Sequence, residues 1–150
     1  PVKKEKGHFI APVLIDDYAH HPEELNALLR SVRSLFPGRI VTVIFQPHLF
    51  TRTRDLAEGF AEALSLADRI IVLPIYPARE LPIQGVTSNM ILEKISNRDK
   101  SGMTKDELIV WIKKHATSME KEFGEVIVMA GAGDIDTLVD PVKKIIENAS

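Results

Sequence analysis

Ile40-Val41-Thr42-Val43-Ile44-Phe45 is the stretch that decides the fold class of this chain. Its apolar and β-branched residues follow one another without alternation, as expected for a strand that is covered on both faces. Three other runs have the same character: Val13-Leu14-Ile15, Ile70-Ile71-Val72-Leu73 and Val126-Ile127-Val128-Met129. The sequence therefore predicts at least four buried strands.

Amphipathic helical patterns separate the four runs. The first begins at Pro22, and proline is well suited to the first turn of a helix. A later one begins with Thr104-x-x-Glu107, the spacing of a capping box, and Asp55 and Glu58 are spaced in the same way in a second helix. Strands that alternate with helices at these intervals predict right-handed crossovers and a mainly parallel sheet.

Other segments carry weaker signals. Residues 2–9 are expected to add one antiparallel edge strand, and residues 97–103 form either a loop or a short strand. A last helix is expected from Asp134 onwards, with a kink or break at Asp140-Pro141. Together these elements predict one Rossmann-like α/β domain with three layers over residues 1–150.

Composition excludes several functional classes. The 150 residues are 45% hydrophobic and 27% charged, which is ordinary for a globular domain. With 19 basic and 21 acidic residues the net charge is −2, so we expect no nucleic-acid partner and no binding to an anionic membrane. The sequence has no cysteine and no apolar run near the ~20 residues of a membrane span, so a cytoplasmic location is expected.

Unusual polar residues follow each predicted strand. They lie at positions 16–21, 46–54, 76–80 and 131–134, and they include acids, histidines, arginines and glycines. In open parallel sheets, ligands bind outside the carboxyl ends of the strands. Four such clusters at four strand ends predict a ligand site at this edge of the sheet.

Each cluster also has a purely structural interpretation. Asp16 and Asp17 could simply bond loop amides ahead of the first helix. His20 and His21 could be metal ligands, but adjacent side chains seldom converge on one ion and thiolates are absent, so we predict no metal site.

The two arginines of the second cluster are expected to differ. One of Arg52 and Arg54 should only pair with a surface carboxylate. The other, at the start of a helix, could present its guanidinium together with the helix amides to a carboxylate or phosphate. Trp111 and His115, one turn apart on a later helix, are expected to serve packing.

The sequence lacks the residues that usually perform phosphoryl or acyl chemistry. No stretch matches Gly-x-x-x-x-Gly-Lys-Ser/Thr, the phosphate-binding loop of many nucleotide hydrolases. No serine or cysteine lies in a recognisable nucleophile turn. Because the chain starts at Pro1 without Met, we expect other domains before it. The sequence thus predicts ligand-holding groups whose catalytic partners lie elsewhere.

Four ordered motifs resemble the C-terminal domain of Mur ligases. They are D-D-Y-A-H-H-P at 16–22, F-Q-P-H-L-F-T-R-T-R-D at 45–55, Y-P-A-R-E at 76–80 and G-A-G-D-I at 131–135. The resemblance covers about residues 12–139, and the His-His-Pro form is similar to the alanine-adding members of the family. It implies one C-terminal domain, without the UDP-binding and P-loop ATPase domains of such enzymes.

The resemblance implies an ATP-dependent ligase that joins L-alanine to UDP-N-acetylmuramate through an acyl phosphate. ATP would be the cofactor, with Mg²⁺ bound mainly by the missing ATPase domain. L-alanine, ATP and UDP-N-acetylmuramate are therefore the implied partners, and the isolated domain is expected to be inactive.

The resemblance also assigns residues to ligands. Asp17 matches the family's acid that faces the ATP ribose. Tyr18, His20, His48 and Arg52 match positions around the amino-acid pocket, where Arg52 suits the carboxylate of alanine.

Two positions depart from the family pattern. Some relatives carry arginine where Leu49 stands, as a second carboxylate contact, and Arg54 or a residue of another domain is the expected substitute. Pro141 departs from the uninterrupted last helix, far from the site.

Three other interpretations stay open. A murein-peptide ligase joins a tripeptide to the same nucleotide sugar, although its motif more often carries Phe where Tyr18 stands. A non-catalytic domain would only bind a partner. A small metal-dependent phosphohydrolase would use the acids and histidines of the first two clusters: Asp16, Asp17, His20, His21 and His48.

Overall fold

The computed structural model describes residues 10–119 and 124–149. Within these ranges five strands alternate with five helices, and none of these helices is long and apolar enough to cross a membrane. Their bounds are β1 Val13–Asp17, α1 Pro22–Leu35, β2 Val41–Phe45, α2 Phe50–Leu64, β3 Arg69–Val72, α3 Asn89–Lys94, β4 Lys100–Gly102, α4 Lys105–Ala116, β5 Val126–Ala130 and α5 Asp136–Asn148.

The five strands form one parallel sheet in the order β1-β5-β2-β3-β4. Val126 of β5 lies opposite Val13 on one side and Val41 on the other, so β5 is an interior strand between the edge strand β1 and the middle strand β2. The predicted three-layer α/β fold is confirmed, and the stretch 97–103 contains the short parallel strand β4. The antiparallel edge strand predicted at 2–9 lies outside the described residues.

Apolar side chains cover both faces of the sheet. Val43 and Phe45 of β2 pack in the layer of α1, α2 and α3, whereas Ile44 packs in the layer of α4 and α5. The three crossovers from β1 to β4 run in one direction across the sheet, so right-handed connections put their helices on one face. The return from β4 to β5 reverses the direction, which puts α4 on the other face.

Several helix starts agree with their sequence signals. Pro22 occupies the first turn of α1, and Nδ1 of the preceding His21 accepts a hydrogen bond from the Glu23 amide at 3.4 Å. At α4 the Thr104 hydroxyl accepts from the Glu107 amide at 3.1 Å, and the Glu107 carboxylate accepts from the Thr104 amide at 3.3 Å. The predicted capping box at α4 is therefore confirmed.

The capping box predicted at Asp55 and Glu58 is wrong. Helix α2 already begins at Phe50, and the Asp55 carboxylate accepts a hydrogen bond from Arg54 instead of capping an amide of Glu58. The backbone leaves helical geometry at Leu56 (φ −119°, ψ 15°) within the helix. The spacing of Asp55 and Glu58 therefore does not mark the start of a helix, and it lies beside an irregular turn within α2.

Of the kink or break predicted at Asp140-Pro141, the break is wrong. Helix α5 continues through Pro141 to Asn148. Both residues are exposed, while Val142 next to them is buried against the sheet. The apolar face of α5 therefore outweighs the one amide donor that proline removes.

A network of ionisable side chains lies at the amino end of the sheet. Glu125, just before β5, is only 7% exposed and accepts hydrogen bonds from the Thr42 hydroxyl and from Arg69 Nη1, the latter at 2.9 Å. His115 Nε2 lies 2.5 Å from the same carboxylate, and Trp111 stacks on His115 at 4.4 Å. Burial raises the pKa of Glu125, but the contacts of His115, Thr42 and Arg69 outweigh it and hold this pKa below its usual value. Trp111 packs on His115 as predicted, whereas His115 also takes part in the ion-pair network of Glu125.

Candidate functional site

The carboxyl ends of β1, β5 and β2 surround the candidate site. The chain leaves β1 and β2 towards the layer of α1 and α2, but it leaves β5 towards the layer of α5. Such a reversal opens a crevice between neighbouring strand ends, where parallel sheets bind ligands. Side chains from the loops after β1, β2 and β3 meet beside this crevice.

His48 lies at the centre of these side chains. Its ring centroid is 6.1 Å from that of His20 and 5.5 Å from that of Tyr76. Its buried Nδ1 has no hydrogen-bond partner among the described residues. Burial, followed by the charges of Arg52 and His20, lowers the pKa of His48 below its usual value. The ring is therefore neutral at physiological pH.

Arg52 brings a positive charge to the same place. It lies in the first turn of α2, and its buried Nη1 has no hydrogen-bond partner within the described parts of the chain. A buried polar group without a partner costs roughly 1–3 kcal/mol, more when it is charged. An anionic acceptor that reaches Arg52 would remove this cost, and the planar guanidinium matches a carboxylate in two bonds.

Tyr18 and His20 come from the loop after β1. The Tyr18 side chain is 70% exposed, and its ring meets the His20 ring edge-on at 5.6 Å. His20 Nδ1 lies 3.0 Å from the backbone oxygen of Tyr18 and 3.6 Å from the Glu24 carboxylate. The structure thus brings His20 to His48 and leaves the Tyr18 ring mostly in solvent.

Asp17 has a structural contact of its own. Its Oδ1 accepts a hydrogen bond from the Ala19 amide at 2.8 Å, and its backbone oxygen accepts one from the Gly131 amide at 3.2 Å. The expected bond to a loop amide is therefore confirmed for Asp17. Because β5 separates β1 from β2, these strand ends are about 10 Å apart. Asp17 thus belongs to the strand end on one side of β5, and His48 follows the strand end on the other side.

A buried connection that the sequence analysis missed holds the loop after β5. Gln46 is only 2% exposed, its Nε2 donates to Asp134 at 2.6 Å, and its Oε1 accepts from the Ile135 amide at 3.0 Å. The Lys105 ammonium pairs with the same Asp134 carboxylate. Lys105 belongs to the start of α4, and no local pattern links it to Asp134.

The amide donors at the start of α2 are partly occupied by the protein itself. The Glu80 carboxylate accepts from the Thr51 amide at 3.2 Å and from the Thr51 hydroxyl at 2.5 Å. The expectation that Arg52 and these amides together hold a ligand anion is therefore wrong for the amide of Thr51. The buried Nη1 of Arg52, by contrast, has no hydrogen-bond partner among the described residues.

Arg54 behaves as the other arginine was expected to. Its Nε donates to Asp55 at 2.8 Å, and both side chains are exposed. The prediction that one of the two arginines pairs with a surface carboxylate is thus confirmed. To replace the arginine that some relatives carry at Leu49, Arg54 would first have to leave Asp55.

The histidines do not form a metal site within residues 10–119 and 124–149. No group of three or more His, Asp or Glu side chains there is arranged to hold an ion. His21 faces the start of α1, whereas the adjacent His20 faces His48. A metal-dependent phosphohydrolase therefore finds no support in this part of the chain.

Comparison with known proteins supplies the family. A model described as "Mur ligase, glutamate ligase domain" matches residues 3–135. The chain belongs to the Mur ligase family. The earlier resemblance is therefore confirmed.

Named relatives of this Mur ligase domain share about half of its residues. UDP-N-acetylmuramate–L-alanine ligase of Cytophaga hutchinsonii is 48% identical over 135 residues, which is 90% of this chain and 28% of the relative. The protein of the same name from Parabacteroides distasonis is 53% identical over 136 residues, again 28% of its length. The domain thus spans a little over a quarter of the curated relatives it matches.

Solved Mur ligase structures have the same fold. UDP-N-acetylmuramate–alanine ligase of Thermotoga maritima superposes with a TM-score of 0.64 at 26% identity, over 91% of this chain and 27% of that one. A murein peptide ligase of Psychrobacter arcticus superposes with a TM-score of 0.66 over 93% of this chain and 29% of that one. At 18% identity, the latter likeness concerns the fold alone.

Proposed function

We propose that this chain is the C-terminal domain of an ATP-dependent ligase that adds L-alanine to UDP-N-acetylmuramate. The observation that carries the proposal is an unpaired cationic group beside a neutral imidazole, Arg52 and His48, in a domain whose named relatives bear that activity. The reaction belongs to peptidoglycan precursor synthesis, and through it to cell-wall growth and division. Because it consumes ATP and a nucleotide sugar, the proposed location is the cytoplasm.

Arg52 would bind the carboxylate of L-alanine. A guanidinium offers two parallel donors to a carboxylate, and its unpaired Nη1 is already desolvated. Binding therefore removes an existing cost instead of adding a new one. A neutral His48 next to it adds no second positive charge that would repel the amino group of alanine.

His20 and Tyr18 would form the wall of the same pocket on the β1 side. The ring of His20 connects the exposed ring of Tyr18 with His48, through contacts of 5.6 Å and 6.1 Å. Because Tyr18 stands at the solvent edge, a ligand or a neighbouring domain could cover it. Burial of an aromatic ring is strongly favourable.

Asp17 would contact the ribose of ATP across the crevice. The bond from the Ala19 amide orients its carboxylate, and only Oδ1 is used in that bond. The other oxygen is suited to accept a hydrogen bond from a ribose hydroxyl. When bound, ATP supplies the phosphoryl group that makes the muramyl carboxylate reactive towards an amine. Mg²⁺ and the phosphates would be held mainly by the preceding domains.

The proposal is tested on the complete ligase that would carry this domain. Release of ADP should require both L-alanine and UDP-N-acetylmuramate, and the 150-residue chain alone should release none. If a tripeptide supports turnover far better than L-alanine does, the protein is a murein-peptide ligase and the proposal is wrong. Turnover of ATP by the 150-residue chain would also contradict it.

A further inference from the structure

Glu80 makes a contact that the proposed function does not use. Its carboxylate accepts hydrogen bonds from the amide and the hydroxyl of Thr51, at 3.2 Å and 2.5 Å. The Thr51 hydroxyl and the amides of Thr51 and Phe50 hold the pKa of Glu80 below its usual value. Glu80 therefore supplies a negative charge from the protein itself at the amino end of α2, where the helix dipole favours negative charge.

Helix α2 needs this external partner because it has no side-chain cap of its own. Its N-cap residue is Leu49, whose side chain cannot accept a hydrogen bond, and whose backbone lies at φ 72°. The first amides of a helix have no partner within the helix. Glu80, 29 residues further along the chain, supplies the acceptor for Thr51.

The loop that carries Glu80 is itself fixed to the loop before α2. The Tyr76 amide donates to the Pro47 oxygen at 2.8 Å, and the Leu49 amide donates to the Tyr76 oxygen at 2.9 Å. The Tyr76 ring packs edge-on against His48 at 5.5 Å. Two adjoining loops are thus joined by the backbone at one end and by the Glu80 carboxylate at the other.

We infer that Glu80 is a positioning residue of the amino-acid pocket. Arg52 follows Thr51 directly in the first turn of α2. Whatever fixes Thr51 therefore also fixes the point from which the Arg52 guanidinium extends. Glu80 sets the place of Arg52 relative to His48 and does not itself need to touch the ligand. This inference rests on the proposed function only for its effect on alanine.

Activity of the complete ligase gives the first test. Glu80→Gln keeps the size of the side chain but removes the charge and one acceptor, and it should raise the Michaelis constant for L-alanine about tenfold. The constant for ATP should stay within about twofold, because Asp17 belongs to β1 and not to the two loops that Glu80 joins. Thr51→Val should act in the same direction, and Thr51→Ser, which keeps the hydroxyl, should restore the wild-type constant. Glu93→Gln, on the exposed face of α3, is the matched control and should change neither constant.

A purely structural role for Glu80 gives a different pattern. Glu80→Gln would then lower the fraction of active enzyme, so kcat would fall while the Michaelis constant for alanine stayed unchanged. That result would overturn the inference. Equal shifts of the alanine and ATP constants would also overturn it, because they would mean a general distortion of the site.

A spectroscopic test on the 150-residue chain separates this inference from the proposed function. In Glu80→Gln the amide resonance of Thr51 and the Nε–H resonance of Arg52 should both shift, while Glu93→Gln should leave them unchanged. If the wild-type ligase shows no alanine-dependent turnover, the proposed function is wrong. The two resonances would still show whether Glu80 positions Arg52. An unchanged Arg52 resonance in Glu80→Gln would mean that Glu80 does not position Arg52.

Discussion

In the described part of the chain, the two ends of the parallel sheet both carry ionisable side chains, but these are hydrogen-bonded to one another at one end and partly unpaired at the other. At the amino end, Glu125 is 7% exposed and is contacted by Thr42, Arg69 and His115. At the carboxyl end, His48 and Arg52 each keep a buried nitrogen without a hydrogen-bond partner among the described residues.

Paired groups of this kind stabilise the fold, whereas unpaired groups are free to bind a ligand. A buried charge is tolerated when it is paired and hydrogen-bonded, and a native protein rarely leaves one unpaired without a functional reason. Arg39 is an exception at the amino end, where its guanidinium carbon lies 5.1 Å from the Phe36 ring centroid. The carboxyl end alone combines unpaired groups with a crevice between strands.

The largest expected effect comes from breaking the paired end. Glu125→Gln removes the charge that balances Arg69 and should lower the free energy of unfolding of the 150-residue chain by about 2–3 kcal/mol. The loss stays below that of a wholly buried pair because Arg69 also pairs with Asp99 at 3.1 Å and is partly exposed. Urea unfolding measures it, with Glu93→Gln as the control that should change stability by less than about 0.5 kcal/mol. Equal stability of the two variants would contradict a structural role for the network.

Arg52→Ala tests the unpaired end. In the complete ligase it should raise the Michaelis constant for L-alanine roughly 10- to 150-fold, the loss of about 1.5–3 kcal/mol from a charge-assisted pair. Arg52→Lys should recover only part of this, because an ammonium keeps the charge but not the planar pair of donors. The constant for ATP should change much less.

The stability of the same Arg52 variant separates the two kinds of charge. Because Arg52 Nη1, unpaired within the described residues, is a cost to the folded state, Arg52→Ala should leave the melting temperature of the 150-residue chain unchanged or raise it, and should not lower it. A clear drop in melting temperature, with normal alanine saturation, would mean that Arg52 belongs with the structural charges like Arg69.

Substitution of Leu49 tests whether the backbone is strained at the carboxyl end of the sheet. Its φ of 72° is unfavourable for a residue with a side chain, and the bonds of its amide and oxygen hold it there. Leu49→Gly should therefore be more stable than Leu49→Ala by about 1 kcal/mol, against the usual order. Thermal unfolding of the two variants measures the difference, and the reverse order would show that the conformation is unstrained.

The smallest effect concerns Asp16, at the end of β1. Burial, with Asp136 and Asp17, raises the pKa of Asp16 above its usual value, in contrast to the lowered pKa of Glu125. A raised carboxyl pKa means that the charged form is less favourable in the folded state, so this cost is present at neutral pH and disappears below about pH 3.9. Asp16→Asn should thus slightly stabilise the 150-residue chain at pH 7 and have no effect at pH 3, and solvent screening at this exposed position keeps the gain small. A destabilised variant at pH 7 would show that the Asp16 charge is favourable.

Sequence patterns were sufficient to predict the strands, most helices and the fold class, because each of these depends on residues that are close together in the sequence. The continuous apolar run at Ile40–Phe45 and the capping box at Thr104 each report on their own neighbours. The same reasoning failed at Asp55, which lies inside a helix that begins at Phe50, and at Pro141, where the buried face of α5 outweighs a local signal. Local patterns also leave the strand order undetermined, and the place of β5 between β1 and β2 became visible only in the structure.

The residues proposed for the candidate site came from the sequence, whereas most of their contacts did not. Resemblance to a family singled out His48 and Arg52, and the structure adds that each keeps an unpaired nitrogen. The contacts of Glu80 with Thr51 and of Lys105 with Asp134 were missed, because each joins residues 29 positions apart. No periodicity or motif spacing reports on such a contact.

The insertion of β5 between β1 and β2 has a consequence for synthesis on the ribosome. Strand β1 is hydrogen-bonded to β5 and not to β2, so it has no described strand partner until Val126–Ala130 have emerged from the exit tunnel. The sheet can therefore close only after most of the domain has been made. A chain that ends prematurely before Val126 would expose the unpaired edges of both β1 and β2, and such edges are prone to aggregate.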